Sequence, residues 1–335
     1  MSINRVEFAN FVCRFGNDKV MLDYLIEIVL PIFTDDTLVR QRGRENVSAY
    51  FFYDVHLEIL DKAGSNEIVG VFGQFVKNVN LTRTQVFDPS QGLVQAPLSM
   101  PSSPSSTFLL ILNTHRLVFL PRTQQAPTIQ EFESTVRNFA AIKHNQFINA
   151  TYESRKNSPE KTTKKALRQE TPPPEVNVVP LTNLDSVADF VARFDKLRSI
   201  DFRLLRPNPT IDAEDTFKDV RGILENIGAN SGKLSASNNT DGLDKDTAIT
   251  VINDAAKGGN SDITLKGTDE HGAILSGSNE DFKVSVPLDS VPQTRPGLVR
   301  KLYQTLRDIL PASAAGSTAE SAEGQAKLNN LAKDI

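Results

Sequence analysis

The chain has no tryptophan and one cysteine, Cys13. A single thiol cannot close an intramolecular disulfide or build a cysteine-based metal site, so Cys13 reads as a small buried hydrophobe in an early strand. Long apolar runs are also missing. The longest, Tyr24 to Phe33, is interrupted by Glu27 and Pro31, and it falls far short of the roughly 20 residues that a spanning helix needs. The first residues, MSINRVEFANFVCRF, hold no apolar stretch of the secretory kind, so a soluble cytoplasmic protein is expected. Charge of one sign is not in excess either. The net charge is −4, with 37 Lys and Arg against 41 Asp and Glu, which argues against a generally basic, histone-like binder.

Signatures of chemistry are equally sparse. His56, His115, His144 and His271 are far apart and lack HExxH or HxH spacing. No GxxxxGK[ST] loop occurs, and Gly70-x-x-Gly73 lies inside a strand pattern rather than at a strand-to-helix turn. The run from Asn238 to Asp246 lacks the ordered acidic start of a calcium loop and a Glu at its twelfth position. Asp201 beside Arg203 on a strand is a thin echo of the converging carboxylates of a metal-dependent nuclease. No catalytic residue, metal or cofactor is therefore expected, and there is no repeat of fixed period.

What is present is clearest from Thr107 to Phe139. TFLLIL and RLVFL are apolar runs of strand length around a polar turn, Asn113-Thr114-His115. PRTQQAP is too polar and proline-bounded to continue a strand. Thr128 and Glu131 then have capping-box spacing, and Ile129, Phe132, Val136 and Phe139 share one helical face. His115, Arg116 and Arg122 thus fall at turns and strand ends, where a rigid scaffold can present them.

The rest reads as an α+β chain with largely antiparallel sheets and two domains. Residues 1–153 are expected to form an N-terminal α+β domain, with a helix from Asp18 to Leu30, a polar segment from Thr37 to Asn46 and strands from Ser48 to Phe87. Ser99 to Thr107 reads as a mobile surface loop. Residues 154–180 turn basic and then proline-rich, as a semi-rigid linker would. Residues 181–310 form a second α+β domain. Its helix near Leu184 to Phe194 is capped by Asn183 or Asp185, and its last helix starts at Thr294-Arg295-Pro296. Ala229 to Thr240 reads as a loop, and 311–335 as an Ala/Ser/Gly-rich tail with a marginal helix from Ser321.

The remaining positive features are cationic. Arg40, Arg42 and Arg44 lie in one polar segment. His115, Arg116 and Arg122 flank the hairpin. Lys143, Arg155, Lys156, Lys161, Lys164, Lys165 and Arg168 lead through the linker, where RKNSPEKTTKKALR carries six Lys and Arg and one Glu. Cations spaced in this way suit backbone-phosphate contacts, which carry no base information. Each cluster can equally be a solvated face, and only their convergence on one surface separates the two readings. No helix offers an evident base-reading set of Asn, Gln and Arg, so any nucleic-acid binding is expected to be non-specific.

Two landmarks carry a resemblance. LILNTHRLVFLPRTQQAPTIQEF resembles a segment in uncharacterised bacterial proteins of mobile-element and phage-defence settings, in which an HRL-centred hairpin precedes a proline-containing loop and a helix. Arg206-Pro207-Asn208-Pro209 after an apolar strand is similar to their second landmark. The order of elements from Met1 to Leu310 also resembles that of RexA-like prophage exclusion proteins. The resemblance implies a prophage or anti-phage defence protein that binds double-stranded DNA without sequence preference, as a homodimer alongside a second protein component. The proline-rich linker and the Ala/Ser/Gly tail depart from that pattern. A module that recognises a phage or partner protein through Gln85 to Ser106, and a metal-dependent nuclease, are the alternatives.

Overall fold

The computed structural model describes residues 4–16, 19–43, 48–63, 66–157, 162–206, 217–256, 259–310, 322–333 and 335. The strands in chain order are β1 (Arg5–Arg14), β2 (Arg40–Arg42), β3 (Ser48–Ala63), β4 (Asn66–Asp88), β5 (Gly92–Ser102), β6 (Ser105–Ile111), β7 (Arg116–Pro121), β8 (Glu175–Pro180), β9 (Lys196–Leu205), β10 (Ser231–Ser237), β11 (Ser261–Thr268), β12 (Ile274–Ser278) and β13 (Ser285–Pro287). The helices are α1 (Leu30–Thr34), α2 (Ile129–Arg155), α3 (Lys164–Glu170), α4 (Leu184–Val191), α5 (Lys218–Asn226), α6 (Lys245–Ala256), α7 (Arg295–Ile309) and α8 (Ala322–Ala332). The protein is α+β, and its strand pairings are antiparallel, as the hydrophobic pattern predicts.

The larger sheet runs β13-β1-β7-β6-β4-β3-β2, with β5 on β4 and β8 on β1. β6 and β7 lie near its centre and are apolar on both faces because both faces are covered. Phe108, Leu110, Leu117 and Phe119 point to the side of α1 and α2. Leu109, Ile111, Val118 and Leu120 point to α7, against Leu298, Leu302 and Leu306. Burying such side chains is worth about 1.5–3 kcal/mol each, so the continuous runs are explained by two cores rather than one. In the absence of tryptophan, phenylalanine fills the α2 core. Phe132 lies 5.4 Å from Phe108 and 5.5 Å from both Phe52 and Phe75, ring centre to ring centre, in the tilted and edge-on arrangements that aromatic pairs favour. Cys13 is buried in β1, as expected.

The smaller sheet, β10-β9-β11-β12, buries Ile200, Phe202, Leu204 and Ile263 under α4 and α6. Asn183 caps α4 through a hydrogen bond from the Ser186 amide (2.8 Å), and the last long helix starts after Thr294, both at the expected places.

Several expectations need correction. Residues 154–180 are not a plain linker. α3 lies within them, and Val176, Val178 and Val179 of β8 are buried against Ala9–Arg14 of β1, because a valine-rich strand following the prolines finds an open sheet edge there. The 181–310 segment does not stay with the smaller sheet. β13 pairs with Arg5–Glu7, and α7 supplies the second face of the larger sheet. Ser99 to Thr107 is strand rather than loop, split between β5 and β6. β4 and β5 run on past β3 as a two-stranded arm from Val79 to Ser102. Ala229 to Thr240 contains the polar strand β10, and the polar segment around Arg40 contains β2. The early helix is a 3-10 turn (Met21–Tyr24) and a π turn (Leu25–Val29) leading into α1, with Pro31 inside α1 rather than ending it. Asp18, the expected first residue of that helix, lies outside the described residues. The final helix, α8, is packed: Leu328 is buried, and Asn329 accepts from the Glu67 amide (3.1 Å).

Candidate nucleic-acid interface

α2 is the element that organises the cations. Its start is fixed by the capping box: the Glu131 amide donates to Thr128 Oγ1 (3.2 Å), and the Thr128 amide donates to Glu131 Oε2 (2.9 Å). Burial pushes the Glu131 carboxyl up, but bonds from Tyr50, the Thr128 amide and Lys77 outweigh it and hold it below the usual carboxylate range. One stripe of α2 is buried on the sheet, and the opposite stripe faces solvent over the length of the helix. From Arg137 to Ala150 the exposed positions carry no carboxylate. They are rich in amides: Asn138, Asn145, Gln146 and Asn149. The Arg137 guanidinium is committed to Glu133 and to the Val176 carbonyl (2.8 Å).

Cations bracket this stripe. On one flank Arg40 donates to Thr135 Oγ1 (3.1 Å) and lies over the Tyr50 ring, with exposed Arg42 beyond it on β2. At the C-terminal end α3 packs on α2. There Lys164 lies 5.3 Å above the Tyr152 ring, Arg168 donates to Asn145 Oδ1 (3.1 Å), and Lys165 is exposed. Arg155 pairs with Glu170 (3.1 Å), and Lys156 pairs with Glu153. Among the described residues, five cations and two carboxylates thus share this end. Thr135 and Tyr152 are 17 residues apart on α2, about 26 Å along a helix axis, so the bracketed surface is a strip rather than a spot.

Other expected contact residues lie elsewhere. His115 and Arg116 are buried, because the turn that carries them closes two strands covered on both faces. His115 has φ +56, and burial, with Arg116 and Arg14 adding to it, pushes its imidazole down to about 3. Burial likewise brings the Arg116 guanidinium down to about 10. Neither can meet a phosphate at the surface. Lys143 is also buried and is hydrogen-bonded to Asp35, whose carboxyl it and Thr37 hold down at about 2. Arg122 follows β7 on the face opposite α2, in a groove beside α7. Arg44 and Lys161 lie outside the described residues. So does the Pro207–Pro209 part of the second landmark.

A second polar cluster joins α2 to the smaller sheet. Arg203 donates to Asp262 (3.3 Å) close to Glu133 and Arg137. Burial raises both carboxyls, and Asp262 adds to the rise at Glu133. Among the described residues no three His, Cys, Asp or Glu side chains gather to hold a metal ion, and no helix is long and apolar enough to cross a membrane.

The profile of DUF4747, a domain of unknown function, matches residues 54–302, about three quarters of the chain. The protein belongs to the DUF4747 family. The DUF4747 match takes in β3 from its bulge onward, α2, α3, the smaller sheet and most of α7, and so includes the α2–α3 strip. No curated protein matches the sequence.

Sequence reasoning missed the amide stripe of α2. The signal was available: Asn138, Asn145 and Asn149 recur at seven and four residues, which places them on one helical face. The apolar stripe of the same helix is the stronger periodic signal and masks it.

Proposed function

We propose that this protein binds the sugar–phosphate backbone of nucleic acid, without sequence preference, along the outer face of α2 and the basic end that α2 forms with α3. The observation that carries this reading is the α2–α3 end, where, among the described residues, five cations meet two carboxylates beside a stripe of amides without acidic residues. Lys164, Lys165 and Arg168 supply charge that releases counterions, and the Asn and Gln amides donate to phosphate oxygens. The resemblance to RexA-like and phage-defence proteins extends the proposal to double-stranded DNA and to a homodimer working with a second component. Fluorescence-anisotropy titrations on unrelated duplexes of equal length test it. Equal affinities are expected at low salt, with loss of binding in Lys164→Glu/Lys165→Glu/Arg168→Glu. No binding at low salt, or binding indifferent to that variant, overturns it.

The β4–β5 arm favours a second reading, recognition of a partner protein. Phe87 is 72% exposed and Leu93 67%, with Leu98 and Met100 also open to solvent, on a ribbon whose outer positions bear little charge. A partner captured through this arm remains bound after nuclease treatment, and Phe87→Ser/Leu93→Ser abolishes capture. Capture that survives those substitutions removes this reading.

A further inference from the structure

α7 covers only part of its face of the larger sheet. Its first turn stands over Phe72, and beyond it the face continues uncovered as a groove of about 620 Å³, within the range of small-molecule sites. The strand registers order its floor. Arg122 donates its amide to Ser105 (3.0 Å), Ser105 lies opposite Val76, and Val76 lies opposite Phe51. A single line therefore runs from a guanidinium to an aromatic ring across three strand spacings, about 14 Å. In the next line Thr107 donates to Gln74 Oε1 (3.1 Å), which leaves the Gln74 amide hydrogens for the groove, and Gln74 lies opposite Tyr53. Tyr53 is 64% exposed, on a stretch of β3 that lies beyond the three residues paired with β2.

The register of β3 then shifts between Tyr53 and His56, with Asp54 at φ +51. A bulge with a non-glycine residue in the left-handed region re-aims a side chain at some conformational cost, and here it turns the Asp54 carboxylate to the groove rim. The charges are divided. Asp54 pairs with His56 (2.7 Å), and Glu58 pairs with Arg295 (3.0 Å), both on the β3 side. Arg122, on the β7 side, has no ion pair among the described residues. The groove thus has an open cation at one end, an open aromatic ring at the other, and hydrogen-bonding groups between them.

We infer that this groove binds a nucleoside phosphate. The phosphate meets Arg122 and the Ser105 hydroxyl, the base lies on Tyr53 and Phe51 with the Gln74 amide at its edge, and Asp54 accepts from the ribose hydroxyls. This site lies on the face opposite α2 and is independent of the backbone contacts proposed there. A free nucleotide and the phosphorylated end of a strand share this chemistry. Isothermal titration with AMP, GMP, adenosine, inorganic phosphate and a 5′-phosphorylated trinucleotide separates them. Saturable one-to-one binding of AMP or GMP identifies a free nucleotide, and binding of the trinucleotide alone identifies a strand end. Either result supports the site if Arg122→Ala weakens it by about tenfold and Tyr53→Ala by about fivefold, with thermal unfolding of the unliganded variants unchanged. The Lys164→Glu/Lys165→Glu/Arg168→Glu variant retains this binding whatever it does to duplex binding. The inference is overturned if no phosphorylated ligand binds at millimolar concentration, if adenosine or phosphate alone binds as well as AMP, or if both groove variants bind like the wild type.

Discussion

The turn at Asn113–Arg116 and the α2–α3 end both carry basic side chains close to a helix or strand terminus, yet they lie in opposite surroundings. At the turn His115 and Arg116 are 0% and 5% exposed. At the α2–α3 end Lys164, Lys165 and Arg168 are all exposed. The flanking residues decide the difference. TFLLIL and RLVFL are apolar at successive positions, which only a strand covered on both faces tolerates, so the turn joining them is drawn against β1 and α8. α3 has a single buried residue, Leu167, so the rest of its circumference stays in water. A cation's destination is set by the faces of the element beside it, and the local density of charge says little about it.

Removing the buried charge tests that contrast with the largest effect. Arg116→Ala is expected to destabilise the fold by about 3 kcal/mol or more, as dismantling a buried charged site does, measured by urea unfolding. A loss below about 0.5 kcal/mol would return Arg116 to the surface set. The surface set should behave in the opposite way. Lys164→Glu/Lys165→Glu/Arg168→Glu is expected to lower duplex affinity by about 30-fold or more, while its unfolding midpoint stays at the wild-type value. The two kinds of variant thus separate stability from binding.

Acid sensitivity sharpens the comparison further. The His115 imidazole is held at about 3, below its ordinary 6.5. The unfolded chain therefore takes up a proton near pH 6.5 that the native protein refuses. Stability is intact above that pH and falls as pH drops from 6.5 towards 3. Asp35, held at about 2, contributes stability present above its ordinary 3.8 and lost as pH falls towards 2, so the window from pH 4 to 6.5 isolates the histidine from this aspartate. His115→Asn, a residue that accepts positive φ, should flatten the stability profile in that window. An unchanged slope would mean that the imidazole is reached by water. The smallest effect is expected from the amide stripe. Asn149→Asp should weaken duplex binding by about threefold, through one repelled phosphate contact, with no change in stability.

Much of the fold could be read from the residues. The β6–β7 hairpin, the Thr128 capping box, Asn183 before α4 and the start of α7 are local signals, and each held. The elements that went unread share a different property. β2 and β10 are short and polar, and β5 carries Pro97 and Pro101, which an edge ribbon accepts because half of its backbone donors face water. β8, β13 and α7 were assigned to the wrong side of a boundary because their partners lie far away in sequence: Glu175 pairs with Arg14, and Pro287 with Arg5. The candidate site divides similarly. Lys164, Lys165 and Arg168 were legible from composition. Lys143 was not, because its partner Asp35 is 108 residues earlier, and the groove of Arg122 and Tyr53 is a product of strand register alone.

The salt dependence of duplex binding tests the central claim most directly. A plot of log affinity against log salt for the wild type and for Lys164→Gln/Lys165→Gln/Arg168→Gln measures the phosphates neutralised by the α2–α3 end. The account predicts that the variant's slope is shallower by about 2 to 3. Parallel lines for the two proteins would contradict it.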